Sequence, residues 1–306
     1  MIRRLKQDHL SADLAAVEEL LSSAPPGDVL GRMSLTERRD EVRKALAEVE
    51  SRVEIEGRTA LFFGGAPVIG SRGVDADFAA EALGKYQNLV TKVWALKEHG
   101  SLAPSGPVPD RHEARLHVTN VVHGSFGFEL AELQGPLTLR SSPLHEAISV
   151  VTRALVAAGK GDDDLADVAE ELDVRSFAAL KEFFAVLQRA HASFRVVAGD
   201  IDYAFDLRDV ELAAERTDAS RTEEQDVPFP GEFLAVLPEA RRFEFRTSDG
   251  AILRGRVAHD LTADDLRRMN AERANRACTA HVRVVTLTRR GRAHTRYVLQ
   301  RLEPAN

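Results

Sequence analysis

The spacing of apolar and polar residues changes period several times along the chain, and each change marks an element. Residues 12–22 read as a short amphipathic helix. After the break at 24–27, Ser34 and Glu37 have the spacing of a capping box, which places a helix start there. Charged and apolar residues then keep helical spacing to about Arg52, giving a helical stretch over 1–55. A strand at 58–63, a glycine-rich turn at 64–67 and a second strand at 68–72 follow. Asp75 and Asp77 open a helix to about Lys97, with Phe78, Ala82, Tyr86, Leu89, Val90, Val93 and Trp94 on one face.

The three prolines of 101–110 make that stretch a surface connection. Residues 114–133 alternate as a hairpin turned at Gly124. Leu116, Val118 and Val122 share one face, with His117, Thr119 and His123 on the other. Ser142 followed by Pro143 starts a helix, and helical periods cover 143–158, 163–172 and 175–190. A hairpin (194–197 and 201–205) and a polar helix at 207–218 complete this part, so that hairpins and helices fill 56–222.

From Pro230 the period is that of strands: 232–237, 241–246 and 252–257. Thr262 and Asp265 cap a helix to about Ala274, and two further strands (280–288 and 295–302) hinge at Arg290 and Gly291. The expected fold class is therefore α+β. A mixed helix and hairpin body over 1–226 is followed by a small five-stranded barrel with one helix over 227–306. The barrel is OB-like, with an SH3- or Sm-like closure as the alternative. On the second barrel strand Phe243 and Phe245 are expected inside, opposite Arg242, Glu244 and Arg246; Arg254 and Arg256 share a face of the third.

Composition adds a charge asymmetry. The 306 residues carry a net −7, but residues 227–306 hold fifteen Arg, no Lys and nine acidic residues, a net of +6, against −13 for the remainder. A basic module on an acidic body points to a polyanion or an acidic protein surface as partner. Arg without Lys favours bidentate phosphate pairing and base stacking, and it also makes strong protein anchors. The expected nucleic-acid contacts are Arg242, Arg246, Arg254, Arg256, Arg289, Arg290 and Arg292, for RNA or single-stranded DNA.

Sites for chemistry are scarce. The glycines between 64 and 73 lack the spacings of a P-loop or a dinucleotide fold, and fit turns better; Ser71, Arg72 and Gly73 are the contacts if a phosphate binds there. The ten histidines form no ligand motif, and His117 and His123 stand roughly 20 Å apart on an extended strand. No cofactor or metal is expected, and no nucleophile motif is present. The reading is of a non-enzymatic binding protein. One alternative is a protein-interaction component (an antitoxin, an immunity or phage-defence partner, or a homo-oligomer). The other is an enzyme whose site assembles only in space, with carboxylates around His117 or His123. The single thiol, Cys278, and the lack of a long uncharged apolar run point to a cytoplasmic protein without a membrane partner.

Three stretches, 65–73, 124–130 and 236–245, resemble uncharacterised bacterial proteins of about 300 residues with a small C-terminal β-barrel. The resemblance runs from about residue 50 onward. It implies a bacterial cytoplasmic setting and carries over no activity or site.

Overall fold

The computed structural model describes residues 2–25, 27–51, 56–100, 105–122, 126–133, 141–169, 171–258, 261–289 and 292–304. The chain opens with a helical hairpin, α1 (Arg3–Ser23) and α2 (Val29–Glu50). Both helices start earlier than their expected bounds. Asp28 caps α2 by accepting from the Gly31 amide at 2.9 Å, so Ser34 lies inside the helix and its box with Glu37 does not form a cap. Docking of Ile2 and Leu5 on the body extends α1 back to Arg3.

The body follows. Its elements are β1 (Arg58–Gly65), the short pair β2 (Val68–Ile69) and β3 (Gly73–Val74), α3 (Ala76–His99), β4 (His117–Val122) and β5 (Phe126–Ala131). Then come α4 (Pro143–Lys160), α5 (Asp162–Ala169), α6 (Val174–Arg189), β6 (Ala192–Ala198), β7 (Ile201–Phe205) and α7 (Leu207–Asp218). Five strands form one antiparallel sheet in the order β4-β5-β1-β6-β7. Alternation along β1 buries both faces of the sheet centre. Leu61 and Phe63 join Phe194, Val196 and Phe205 under α3, α4, α6 and α7, while Ala60, Phe62 and Val197 meet Ile2 and Leu5 on the other side. The expected helix starts hold at Asp75 and Ser142, each of which accepts an orphan amide, and Asp206 and Asp209 form a capping box at α7 that is not among the expected caps.

Strand β4 departs from the expected facing. A bulge between Val118 and Asn120 breaks the alternation, and at this sheet edge Val118 is 50% and Val121 37% exposed rather than core. The expected hairpin turn at Gly124, with His123, lies outside the described residues.

The C-terminal region is a closed five-stranded barrel of β8 (Ser220–Leu237), β9 (Arg242–Thr247), β10 (Ile252–Val257), β11 (Arg276–Arg289) and β12 (Arg292–Pro304). Around the barrel the order is β8-β9-β10-β12-β11. Every pairing is antiparallel except β10 with β12. Phe233, Phe243, Phe245, Val282 and Leu299 fill it, and α8 (Ala263–Arg273) presses Leu266 onto the same core.

Residues 223–230, where the sequence places the division of the chain, lie within β8. Pro228 and Pro230 fit because β8 pairs here with β11 alone. The carbonyl of Pro230 accepts from Ser248 beside β9, so its missing N–H faces away from β11.

Candidate nucleic-acid interface

The outer face of the β9–β10 ribbon gathers four of the seven expected arginines. Pairing is in register, with Arg246 opposite Ile252, Glu244 opposite Arg254 and Arg242 opposite Arg256. Phe243 and Phe245 point inward at 1% and 0% exposure, as expected, which turns all three side chains between and beside them outward. Gly255 separates the two arginines of β10, and a side chain there would run into the Tyr297 carbonyl and the Phe243 ring. The ribbon therefore stays flush against β12 while the guanidinium groups stand clear of it.

Charge on this face is unevenly neutralised. Arg246 donates to Glu232 at 2.6 Å, and Arg254 to Glu244 at 2.9 Å. Arg242 and Arg256 are exposed and have no carboxylate partner among the described residues. Directly opposed residues of an antiparallel pair have Cβ atoms about 5 Å apart, where like charges repel. Several other barrel cations are paired with carboxylates. Arg283 pairs with Asp226 at 2.9 Å, Arg267 with Asp264 at 2.8 Å and Arg301 with Glu303 at 3.0 Å. The Glu303 carboxyl is held below its usual range, chiefly by a hydrogen bond from His281.

The remaining three arginines are elsewhere. Arg289 and Arg292 pair at the far end of the β11–β12 ribbon, six residues and about 20 Å along β12 from Val298, the neighbour of Arg256. Their side chains, and Arg290 altogether, lie outside the described residues. The seven positions thus divide into a face and a ribbon tip. Sequence could place the first four on strands and the other three at a hairpin hinge, but not the carboxylates opposite them, because Glu232 and Glu244 meet Arg246 and Arg254 only through the strand register.

Ser71, Arg72 and Gly73 close the β2–β3 turn, with the Arg72 amide donating to the Ile69 carbonyl at 2.9 Å. The helix start beyond them already holds the Asp75 carboxylate on the Phe78 amide at 2.8 Å, with Asp77 in the first turn. Two negative charges at that electropositive end work against an anion. Among the described residues no group of three His, Cys, Asp or Glu side chains is placed to hold a metal ion. Nor is any helix long and apolar enough to cross a membrane. His117 sits on the β4 edge.

Comparison with protein-family models, with curated proteins and with solved structures returns no match, so neither a family nor an origin comes from outside the chain.

Proposed function

We propose that the C-terminal barrel binds a polyanion, single-stranded RNA or DNA, through the β9–β10 face, and that the acidic body over 1–226 carries it. One observation carries this reading. Arg242 and Arg256 stand opposite each other, exposed, with no carboxylate partner among the described residues, on a barrel where Arg246, Arg254 and Arg283 are paired. A phosphate bridging the two guanidiniums would turn a repulsive pair into an attractive site.

Topology supports the same face. Closure through a parallel pairing of the third and fifth strands, with a helix between the third and fourth, supports an OB reading over an SH3 or Sm one. OB barrels take oligonucleotides on the face of their second and third strands, which here are β9 and β10. Both phenylalanines of β9 are inside, so the contact is to phosphate and not to stacked bases, and recognition is indifferent to sequence. Arg289, Arg290 and Arg292 form a second contact that only a longer strand reaches. The buried, single thiol suits a reducing, cytoplasmic setting.

The test is a titration of the full chain with labelled single-stranded RNA and DNA at two salt concentrations. Binding is expected to weaken steeply with salt. The double variant Arg242→Gln/Arg256→Gln is expected to lower the log–log salt slope by about 2. Its melting temperature should hold or rise, since a repulsion is removed. Absence of binding at low salt, or a slope unchanged in the variant, overturns the proposal.

A further inference from the structure

Beyond the barrel, the α1–α2 hairpin is an arm with little of the molecule around it. It extends about 30 Å, and it meets the body at its root, where Ile2 and Leu5 pack on Ala60, Phe62 and Val197 and Arg3 pairs with Asp200. Ion pairs from Arg38 to Asp13 and from Arg43 to Glu18, both 2.7 Å, tie its two helices together. At the tip, four large apolar side chains face solvent: Leu20 at 54%, Val29 at 64%, Leu30 at 81% and Met33 at 67%. A shallow groove runs from this tip along the outer side of α2 to Lys44.

We propose that this groove is a dimer interface, in which α2 lies antiparallel on α2 of a second copy with the two-fold axis between Thr36 and Glu37. The residues lining the groove are related by reflection about that point: Val29 with Lys44, Arg32 with Glu41, Met33 with Asp40 and Thr36 with Glu37. A two-fold interface must be self-complementary in this sense. Antiparallel overlap sets Arg32 against Glu41 of the second copy, and the reverse, giving two ion pairs for one contact. It lays the aliphatic stem of Lys44 over the exposed Val29 and brings its ammonium beside the Asp28 cap.

The pairing uses charges that the fold engages weakly. Lys44 has no ion-pair partner among the described residues, Glu41 has only a long, exposed contact with Arg38 at 3.7 Å, and Arg32 donates to the Leu21 and Ala24 carbonyls and to no described carboxylate. A parallel overlap would instead set Arg32 on Arg32 and Glu41 on Glu41, so the charges select the antiparallel orientation. This inference does not depend on what the barrel binds.

Sedimentation equilibrium of the full chain and cysteine cross-linking test it. A concentration-dependent dimer is expected, abolished by Met33→Asp. Glu41→Arg and Arg32→Glu should each weaken self-association at least about tenfold, and an equimolar mixture of those two variants should recover a heterodimer. Glu37→Cys should oxidise to a covalent dimer. Lys44→Cys should not, because the two copies of residue 44 would be about 20 Å apart. Cys278, 1% exposed, leaves the background silent. A monomer at about 100 μM, failure of the mixture to associate, or a Val29→Cys dimer formed tip to tip in place of the Glu37→Cys one overturns the proposal.

Discussion

Gly255 works by close approach rather than by unusual backbone. A Cβ there would meet the Tyr297 carbonyl on β12 and the Phe243 ring inside the barrel, at the one parallel junction that closes it. Neither is a movable side-chain end, so Gly255→Ala is expected to cost about 2–4 kcal/mol in urea denaturation, from overpacking and a loosened strand pair. Tyr86 poses a different problem. It is fully buried on α3, its hydroxyl has no hydrogen-bond partner among the described residues, and burial pushes its phenol well above the ordinary value of 10.0. The folded state therefore keeps a proton that the unfolded chain gives up above pH 10. Stability is full below that pH and is lost as pH rises, by up to ~1.4 kcal/mol per pH unit. Between pH 10 and 11.5 the stability of Tyr86→Phe should fall less steeply than that of the parent; parallel curves would show that the phenol does not contribute.

Among the elements, α8 does more than cover the barrel. Beside the bulge that β8 makes between Phe233 and Ala235, Asn270 accepts from the Val236 amide at 2.8 Å and donates to its carbonyl at 2.6 Å. One side chain thus serves as a strand partner where the ladder is interrupted. Asn270→Ala leaves both groups of Val236 without that partner and is expected to destabilise by about 2–3 kcal/mol, against about 1 kcal/mol for removing the Thr262 cap of the same helix. Chemical denaturation of the two variants would rank them.

The two capping boxes show where sequence is legible at this scale. Thr262 and Asp265 form theirs, but Ser34 and Glu37, with equivalent spacing, do not, because Asp28 takes the cap six residues earlier. Spacing proposes a cap; the backbone upstream decides it. Bulges are illegible for a related reason. Nothing in 116–122 announces the extra residue that reverses the facing of β4, and nothing in a strand that reads as 232–237 shows that it continues back to Ser220 through two prolines.

At the scale of the molecule, the charge asymmetry pointed to the barrel without pointing to the site. Composition alone does not separate Arg246 and Arg254, which strand register sets against carboxylates, from Arg242 and Arg256, which have no carboxylate partner among the described residues. The body and the barrel have separate apolar clusters, yet only Ala219 lies between the end of α7 and the start of β8. A clasp reinforces that short connection. Half-buried Arg296 of β12 donates to the Ala169 carbonyl at 3.0 Å and to that of Leu172, capping the corner between α5 and α6, and Glu224 of β8 accepts from the Val174 amide at 3.2 Å.

Hydrogen bonds from a charged donor contribute about 1.5–3 kcal/mol each, and here they run between the two cores, so they supply part of what makes the cores melt together. Arg296→Met keeps the aliphatic bulk and removes the donors. In scanning calorimetry the parent should show one transition and the variant two, with a tryptophan probe separating them, because Trp94, the single tryptophan, lies in the body core. If the variant still melts once at an unchanged temperature, the clasp contributes nothing measurable. The continuity of α7 into β8 would then couple the two cores unaided.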